Sequence, residues 1–361
     1  MMIRSTGENA YFAASNSVSG FLSYYAEIFN AARIKHVYAV KGGPGTGKSR
    51  FLRDVAEYAE RLGWSGEYIY CSSDPLSLDA VILSRRDENC IALLDATAPH
   101  VYEPTCPGAR EDMINLGAFW NAGLLSAQIQ EIEQLNTEKS NAYRRSYRFL
   151  AGLGQMSRNR DMLVAPYIRR EKIQRFAEKI LQNVPRGREY FCRPALIHSI
   201  GMRGEVGFDT YFADARKLYI VEDCRGAAQY LMAELGNMAQ ELRQPIRVSH
   251  DPIEPEKIDG LFFASLGLAV AVCRDEECDY SRKKINMRRF VDTAAMKGVR
   301  SELNYTERMI RAMKNGAMDA LEKVREIHFR LEEIYSSAMD FEAKENFTKR
   351  FCEETFGLQK E

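Results

Sequence analysis

The sequence predicts an α/β protein made of two tandem α/β/α domains, each with a parallel sheet and a trailing helical hairpin arm, the second a degenerate copy of the first. Three observations predict it. A short apolar strand, a glycine loop and an amphipathic helix follow one another over residues 36–62. The same plan returns about 180 residues later with its loop altered. Each copy then runs into a long helical stretch, about 120–183 in the first and about 300–345 in the second.

Size and composition agree. At 361 residues the chain is longer than one core usually supports, roughly 250–300 residues. The boundary falls in the breaker-rich link Asn183-Val184-Pro185-Arg186-Gly187-Arg188, giving domains 1–185 and 186–361. A composition 45% hydrophobic and 28% charged excludes global disorder. Fifty basic against fifty acidic residues exclude a protein that coats nucleic acid over its whole surface, but not a local basic patch. The longest apolar run, Leu261 to Cys273, is 13 residues, short of the ~20 that span a bilayer, so no membrane segment is expected. The N-terminal residues contain no apolar signal core. The eight cysteines include no C-x-x-C pair, which points to reduced thiols in a cytoplasmic protein. The oligomeric state is left open.

Val37 to Val40 reads as a buried strand. Gly42-Gly43-Pro44-Gly45-Thr46-Gly47-Lys48-Ser49 then fits G-x-x-x-x-G-K-[ST]. Arg50 to Leu62 follows as a helix with Phe51, Val55, Tyr58, Ala59 and Leu62 on one face. Glycines let the backbone turn its N–H groups toward a phosphate. The helix start adds unpaired N–H groups and a positive dipole end. Lys48 supplies a charge for the β- and γ-phosphates, and the Ser49 hydroxyl is a hard ligand for Mg²⁺. Gly42 to Arg50 is therefore the expected nucleotide site.

A second apolar strand, Ile91-Ala92-Leu93-Leu94, ends in Asp95, the residue expected to meet the magnesium shell; an ordinary strand with a capping Asp reads the same way. Ala96 follows, so no adjacent Glu is available to orient water. Asp74, His100 and Glu103 are candidate bases, although Asp74 in Cys71-Ser72-Ser73-Asp74-Pro75 equally suits a cap or turn.

The repeat is legible in four ordered matches: 36–40 with 217–221, Ser73-Asp74-Pro75 with His250-Asp251-Pro252, Asp79-Ala80-Val81 with Asp259-Gly260-Leu261, and 92–94 with 269–271. In the second copy Glu222-Asp223-Cys224-Arg225-Gly226-Ala227-Ala228-Gln229-Tyr230 stands where the glycine loop stood, at least one residue shorter and without its lysine. Val272 replaces Asp95. The second half is expected not to bind nucleotide.

Together, these segments and the paired plan resemble a bacterial family with tandem, duplicated P-loop NTPase-type halves, usually labelled ATPase or nucleotide kinase. The resemblance covers most of the chain and is strongest over 36–120. It implies a P-loop NTPase fold, with Gly42 to Ser49 as the nucleotide site. In that family the second half often keeps a loop of its own, and this chain departs there. The loop is also locally similar to that of the AAA+ ATPases, without the Glu after the strand-ending Asp.

Residues 139–179 carry eleven Lys/Arg against three acidic residues, whereas 300–345 carry eight against ten. The stretch reads as two antiparallel helices, the first about 124–150 and the second from about Asp161 or Pro166 to Gln182, turning at Ala151-Gly152-Leu153-Gly154. It is either a solvated face or an arm that clamps phosphates of the nucleotide, a nucleic acid or a phosphorylated substrate. Arg144, Arg145 and Arg148 are the first candidates; Tyr143 and Tyr147 either stack on bases or pack together. A smaller cluster, Arg282-Lys283-Lys284 with Arg288-Arg289, reads as a solvated loop and helix start.

Three functions remain. The first is Mg²⁺-dependent ATP hydrolysis coupled to movement of the arm or second half. The second is a kinase of a nucleotide or small molecule with the basic arm as lid, its arginines on the transferring phosphoryl group and Asp74 as base. The third is a nucleotide sensor. ATP is favoured over GTP because no N-K-x-D sequence is present.

Overall fold

The computed structural model describes residues 2–3, 9–30, 33–85, 89–100, 102–213, 215–274 and 283–357. Cys278 and Arg282 lie outside them. The first half runs β1 (Met2–Ile3), β2 (Asn9–Phe12), the hairpin β3 (Ala14–Ser17) and β4 (Gly20–Ser23), α1 (Tyr25–Ile28), β5 (His36–Lys41), α2 (Lys48–Arg61), β6 (Ser65–Tyr70), β7 (Leu78–Arg85), β8 (Asn89–Asp95) and β9 (Glu111–Asn115). Helices α3 (Ala122–Ala127), α4 (Ile129–Val164) and α5 (Arg170–Leu181) complete it. The second half repeats the plan as β10 (Cys192–Pro194), β11 (His198–Gly201), β12 (Gly204–Phe208), α6 (Thr210–Ala213), β13 (Lys217–Glu222), α7 (Ala228–Glu241), β14 (Ile246–His250), β15 (Ile258–Phe263), β16 (Leu268–Val272), β17 (Lys283–Asn286), α8 (Arg300–Ser337) and α9 (Phe341–Phe356).

The fold is α/β with two sheet-containing halves. Their strand orders correspond one for one, β2-β6-β7-β8-β5-β9 and β10-β14-β15-β16-β13-β17. The sheets are mixed, which corrects the all-parallel expectation. Strands β6, β7 and β8 pair antiparallel in the first half, and β14, β15 and β16 in the second. The links 71–77 and 86–88 are too short for the crossover helix that a parallel pair requires.

A sandwich of helices on both sheet faces is also not what forms. One face of the first sheet packs under α2 and α9 through Val40, Phe51, Val55, Leu93, Phe351 and Phe356. One face of the second packs under α5 and α7 through Ile173, Ala177, Leu231, Leu235 and Val270. The opposite faces of both sheets share a single core, with Ala39, Ile82 and Leu94 beside Ile220, Phe262 and Ala271. The sheets also join at an edge, where Phe12 and Leu196 exchange backbone hydrogen bonds.

The arms are not hairpins within each half. Helix α4 continues unbroken through Ala151–Gly154. Gly152 and Gly154 face Met313 and Val18 closely, so these residues serve close packing rather than a turn. The long helices α4 and α8 pair with each other antiparallel: Ile132 meets Ile334, Ala142 meets Val324, and Leu153 packs with Ala317. The helix after each is exchanged. Helix α5 of the first half covers α7, and α9 of the second half covers α2. Two symmetry-related bridges mark the exchange, Trp120 with Met339 and Ile168 with Val291.

The backbone also refines the repeat. Cys71 and Asp251 occupy equivalent places, as do Asp74 and Glu254, each closing the same turn before β7 or β15. The match of Ser73-Asp74-Pro75 to His250-Asp251-Pro252 is therefore displaced by three residues. The other three matches hold in register.

Candidate phosphate site at the start of helix α2

The loop between β5 and α2 is held in shape by its own residues. Gly45 and Gly47 have φ of 68° and 74°, a region that other residues enter at a cost. The Thr46 hydroxyl donates to Gly43 O at 2.9 Å. Lys48 Nζ donates to Gly42 O and Gly43 O, both at 2.8 Å, and lies 3.5 Å from Asp95 Oδ2. The Ser49 hydroxyl oxygen accepts from Leu78 N–H at 2.9 Å, tying α2 to β7, and keeps a second lone pair and its proton for another partner. Pro44 is half-buried in the loop, and Arg50 turns outward to pair with Asp54 at 2.8 Å.

Register places Asp95 beside Val40 at the end of β8, next to the loop. Its Oδ1 accepts from Thr97 N–H at 2.8 Å, and the Thr97 hydroxyl donates to Gly42 O at 3.0 Å. Burial raises the Asp95 carboxyl above the usual range, Lys48 opposes this, and the carboxylate of Asp79 adds to it. Lys48, Ser49 and Asp95 are thus brought together by the strand–loop–helix junction.

Asp79 is a residue that the sequence reading treated only as part of the repeat. It is buried on β7, one position beyond the last ladder pair with β8, which brings it opposite Asp95. Its Oδ2 lies 2.9 Å from His100 Nε2. The signal was available: Asp79 interrupts the apolar run of β7, and Asp259 recurs at the same place in β15, paired with His198 at 2.8 Å and Arg274 at 3.2 Å. Burial works against charging His100, but Asp79 outweighs it, so the imidazole stays charged to higher pH than usual. A charged imidazole locked to a carboxylate is a poor general base. Cys71 lies with these two within 4.8 Å, and burial, with the Asp79 carboxylate, pushes its thiol well up.

The other candidates stand apart. Asp74 accepts from Arg203 Nε at 2.7 Å across to the β11–β12 hairpin. Glu103 is exposed, 3.9 Å from Lys41. Arg144, Arg145 and Arg148 are exposed on α4, with Arg144 donating to Asn141 and Arg145 over the Phe149 ring. Tyr143 and Tyr147 stack on each other at 6.1 Å and bond Ser73 and Asn16. In the arm, burial and then the charge of Lys48 pull the Lys139 amine below its usual range. The far end of the arm serves the other half. Arg160 and Asp161 press on Gly226, Arg169 pairs with Asp292, and Arg170 covers the Tyr230 ring. The basicity is therefore not confined to the neighbourhood of the intact loop. Of the smaller cluster, Lys284 lies 3.6 Å from Glu222, and Arg289 stacks on Phe176 and Phe290.

The degenerate loop is filled from within. Asp223 Oδ2 accepts from Gly226 N–H and Oδ1 from Ala228 N–H, both at 2.7 Å. A carboxylate of the chain takes the N–H groups at the start of α7 that correspond to those of the intact loop. Val272, opposite Val221 as Asp95 is opposite Val40, puts no carboxylate at the position of Asp95.

The outer side of the intact loop is covered by the second half. A Cβ on Gly45 would stand 2.5 Å from Glu332 O of α8, and one on Gly43 would stand 3.2 Å from Trp120 and Tyr335. Gly45→Ala is expected to cost about 2 kcal/mol or more, from the left-handed backbone and the displaced helix. Denaturant unfolding of the variant checks this; an unchanged midpoint would refute it.

Among the described residues no helix is long and apolar enough to cross a membrane. Among the described residues no two cysteines are joined in a disulfide. The chain matches no protein-family model, no curated protein and no solved structure, so its chemistry is read from these residues.

Proposed function

We propose that the chain is a tandem P-loop NTPase-type protein whose first half binds and hydrolyses Mg·ATP. The observation that carries this reading is the convergence of Lys48, Ser49 and Asp95 on a left-handed glycine loop at the start of α2. Backbone N–H groups of the loop and the positive end of α2 meet the phosphate chain. Lys48 adds a full charge there. The hard oxygens of Ser49 and Asp95 suit Mg²⁺, which when bound neutralises phosphate charge. The carboxylate of Asp223 in the second loop supports the same reading, since it supplies internally the anion that such a cradle takes.

Hydrolysis with movement is favoured over phosphoryl transfer by the cover on the loop. Helices α8 and α9 touch Gly45 and Gly47, so a change in the loop reaches the second half directly. Asp74, the acceptor base of a kinase reading, is already paired with Arg203. Full-length protein with Mg·ATP is expected to bind nucleotide in calorimetry and to release phosphate without an added acceptor. Absence of binding would overturn the proposal, and phosphate transfer only on adding an acceptor would replace it by the kinase reading.

A further inference from the structure

Helix α9, contributed by the second half, places a lysine at the start of α2. Lys344 is 2% exposed, and its Nζ lies 3.7 Å from where a Cβ would stand on Gly47, the residue that caps α2. Phe341 reaches the same point. Among the described residues no carboxylate lies within ion-pair distance of Lys344. Asp54 pairs with Arg50 instead, and Glu345 is its neighbour in sequence. Burial pulls the Lys344 amine down, Asp54 and then Glu345 favour its charged form from beyond ion-pair distance, and Arg50 opposes them, so a bound anion would meet an ammonium that has no direct carboxylate partner.

The repeat provides an internal control. The bridges Trp120–Met339 and Ile168–Val291 fix the correspondence of the two exchanged segments, which makes Ile173 the counterpart of Lys344, each the fourth residue of its helix. Ile173 is also 2% exposed, packed in the core beside α7. Where the loop is filled by Asp223, the position holds a hydrophobic residue. Where the loop has Lys48 and the glycines, it holds an equally buried lysine. Packing alone is met by isoleucine, so the lysine serves something else.

We infer that Lys344 is a second phosphate-contacting lysine of the nucleotide site, delivered from the C-terminal helix, so that the site is complete only when the second half is docked on the first. This rests on the nucleotide reading of loop 42–49 given above. It makes the anion at this loop bivalent in its contacts, with Lys48 from α2 and Lys344 from α9. Burial lowers the Lys344 amine, and a phosphate beside it would restore its charge.

The test compares full-length wild type, Lys48→Ala and Lys344→Ile by calorimetry with Mg·ATP and by thermal melting without ligand. Lys344→Ile installs the residue that the other half uses, and Lys344→Met serves as a second variant of similar length. The expected result is a loss of Mg·ATP affinity of about 10- to 100-fold in both Lys344 variants, the range for a hydrogen bond to a charged group. The ligand-free Lys344→Ile protein is expected to melt at or above the wild-type temperature, which a merely structural lysine would not give. The amine of Lys344, followed by NMR, should titrate at higher pH with Mg·ATP than without. If wild type binds Mg·ATP, Lys48→Ala loses it and the Lys344 variants bind like wild type, the assignment of Lys344 is overturned and the loop reading stands. If wild type does not bind Mg·ATP at all, both fall together.

Discussion

Replacing Lys48 with alanine is expected to reduce phosphate release from Mg·ATP about 100- to 1,000-fold, the size of effect seen when one donor to developing phosphate or oxyanion charge is removed. The expectation follows from three contacts made by one ammonium group. Lys48 Nζ holds the carbonyls of Gly42 and Gly43 and faces Asp95. Its removal strips the loop of its full charge and of the bonds that hold its shape. The Asp95 carboxyl, already raised by burial and by Asp79, loses the charge that opposes those effects and rises further. Asp95→Asn separates the two roles. It keeps the fold and Lys48, and is expected to lose the dependence of binding on magnesium concentration. Single-turnover hydrolysis and magnesium titrations read both. A Lys48→Ala protein that hydrolyses ATP like wild type would refute the proposed function.

A comparable effect on stability is expected where the halves meet at Glu67. Its carboxylate receives Arg193 in a forked pair, Nη1 to Oε1 at 3.1 Å and Nη2 to Oε2 at 2.6 Å. It also bonds Arg33 and accepts from the Tyr11 hydroxyl at 2.9 Å. Burial by itself would raise the carboxyl, but Arg193 and then Arg33 outweigh it and hold it at about 2 against an ordinary 4.5. A carboxyl lowered on folding contributes stability that is complete above its unfolded value and fades as pH falls toward the folded one. This pair is therefore expected to weaken from about pH 4.5 down to about pH 2, by about 3 kcal/mol in all. Glu67→Ala is expected to cost about 3–5 kcal/mol at neutral pH, because Arg193 is left buried without its partner. Denaturant unfolding as a function of pH measures both. A variant as stable as wild type at pH 7 and equally acid-sensitive would refute the assignment.

Much of this was legible in the sequence for identifiable reasons. The strand–loop–helix unit at 36–62 was visible because glycines, lysine and an amphipathic period are local signals. The duplication was visible because buried strand residues are constrained in both copies. Strand direction is legible only in link length, since 71–77 and 86–88 are shorter than a parallel crossover needs, a signal that apolar pattern does not carry. The supposed turn at Ala151–Gly154 shows the limit of composition: a glycine pair marks close approach of α8 and Val18 as readily as a chain reversal. Asp79 and Lys344 escaped notice because each acquires meaning from a partner distant in sequence, Asp95 across a ladder and Gly47 across the exchange. Arg144, Arg145 and Arg148 drew attention by charge density, which says nothing about direction along a helix that crosses from one half to the other.

The exchange of α5 and α9 also governs how the chain must be made. Phe51 on α2 is sealed by Phe347 and Phe351, nearly three hundred residues downstream. On a ribosome the first half emerges long before the helix that covers it. Its apolar face must stay uncovered, or be shielded by a chaperone, until α9 leaves the exit tunnel. Such distant closures slow folding. A chain cut short before residue 341 would carry an intact glycine loop on a half that never finishes its core.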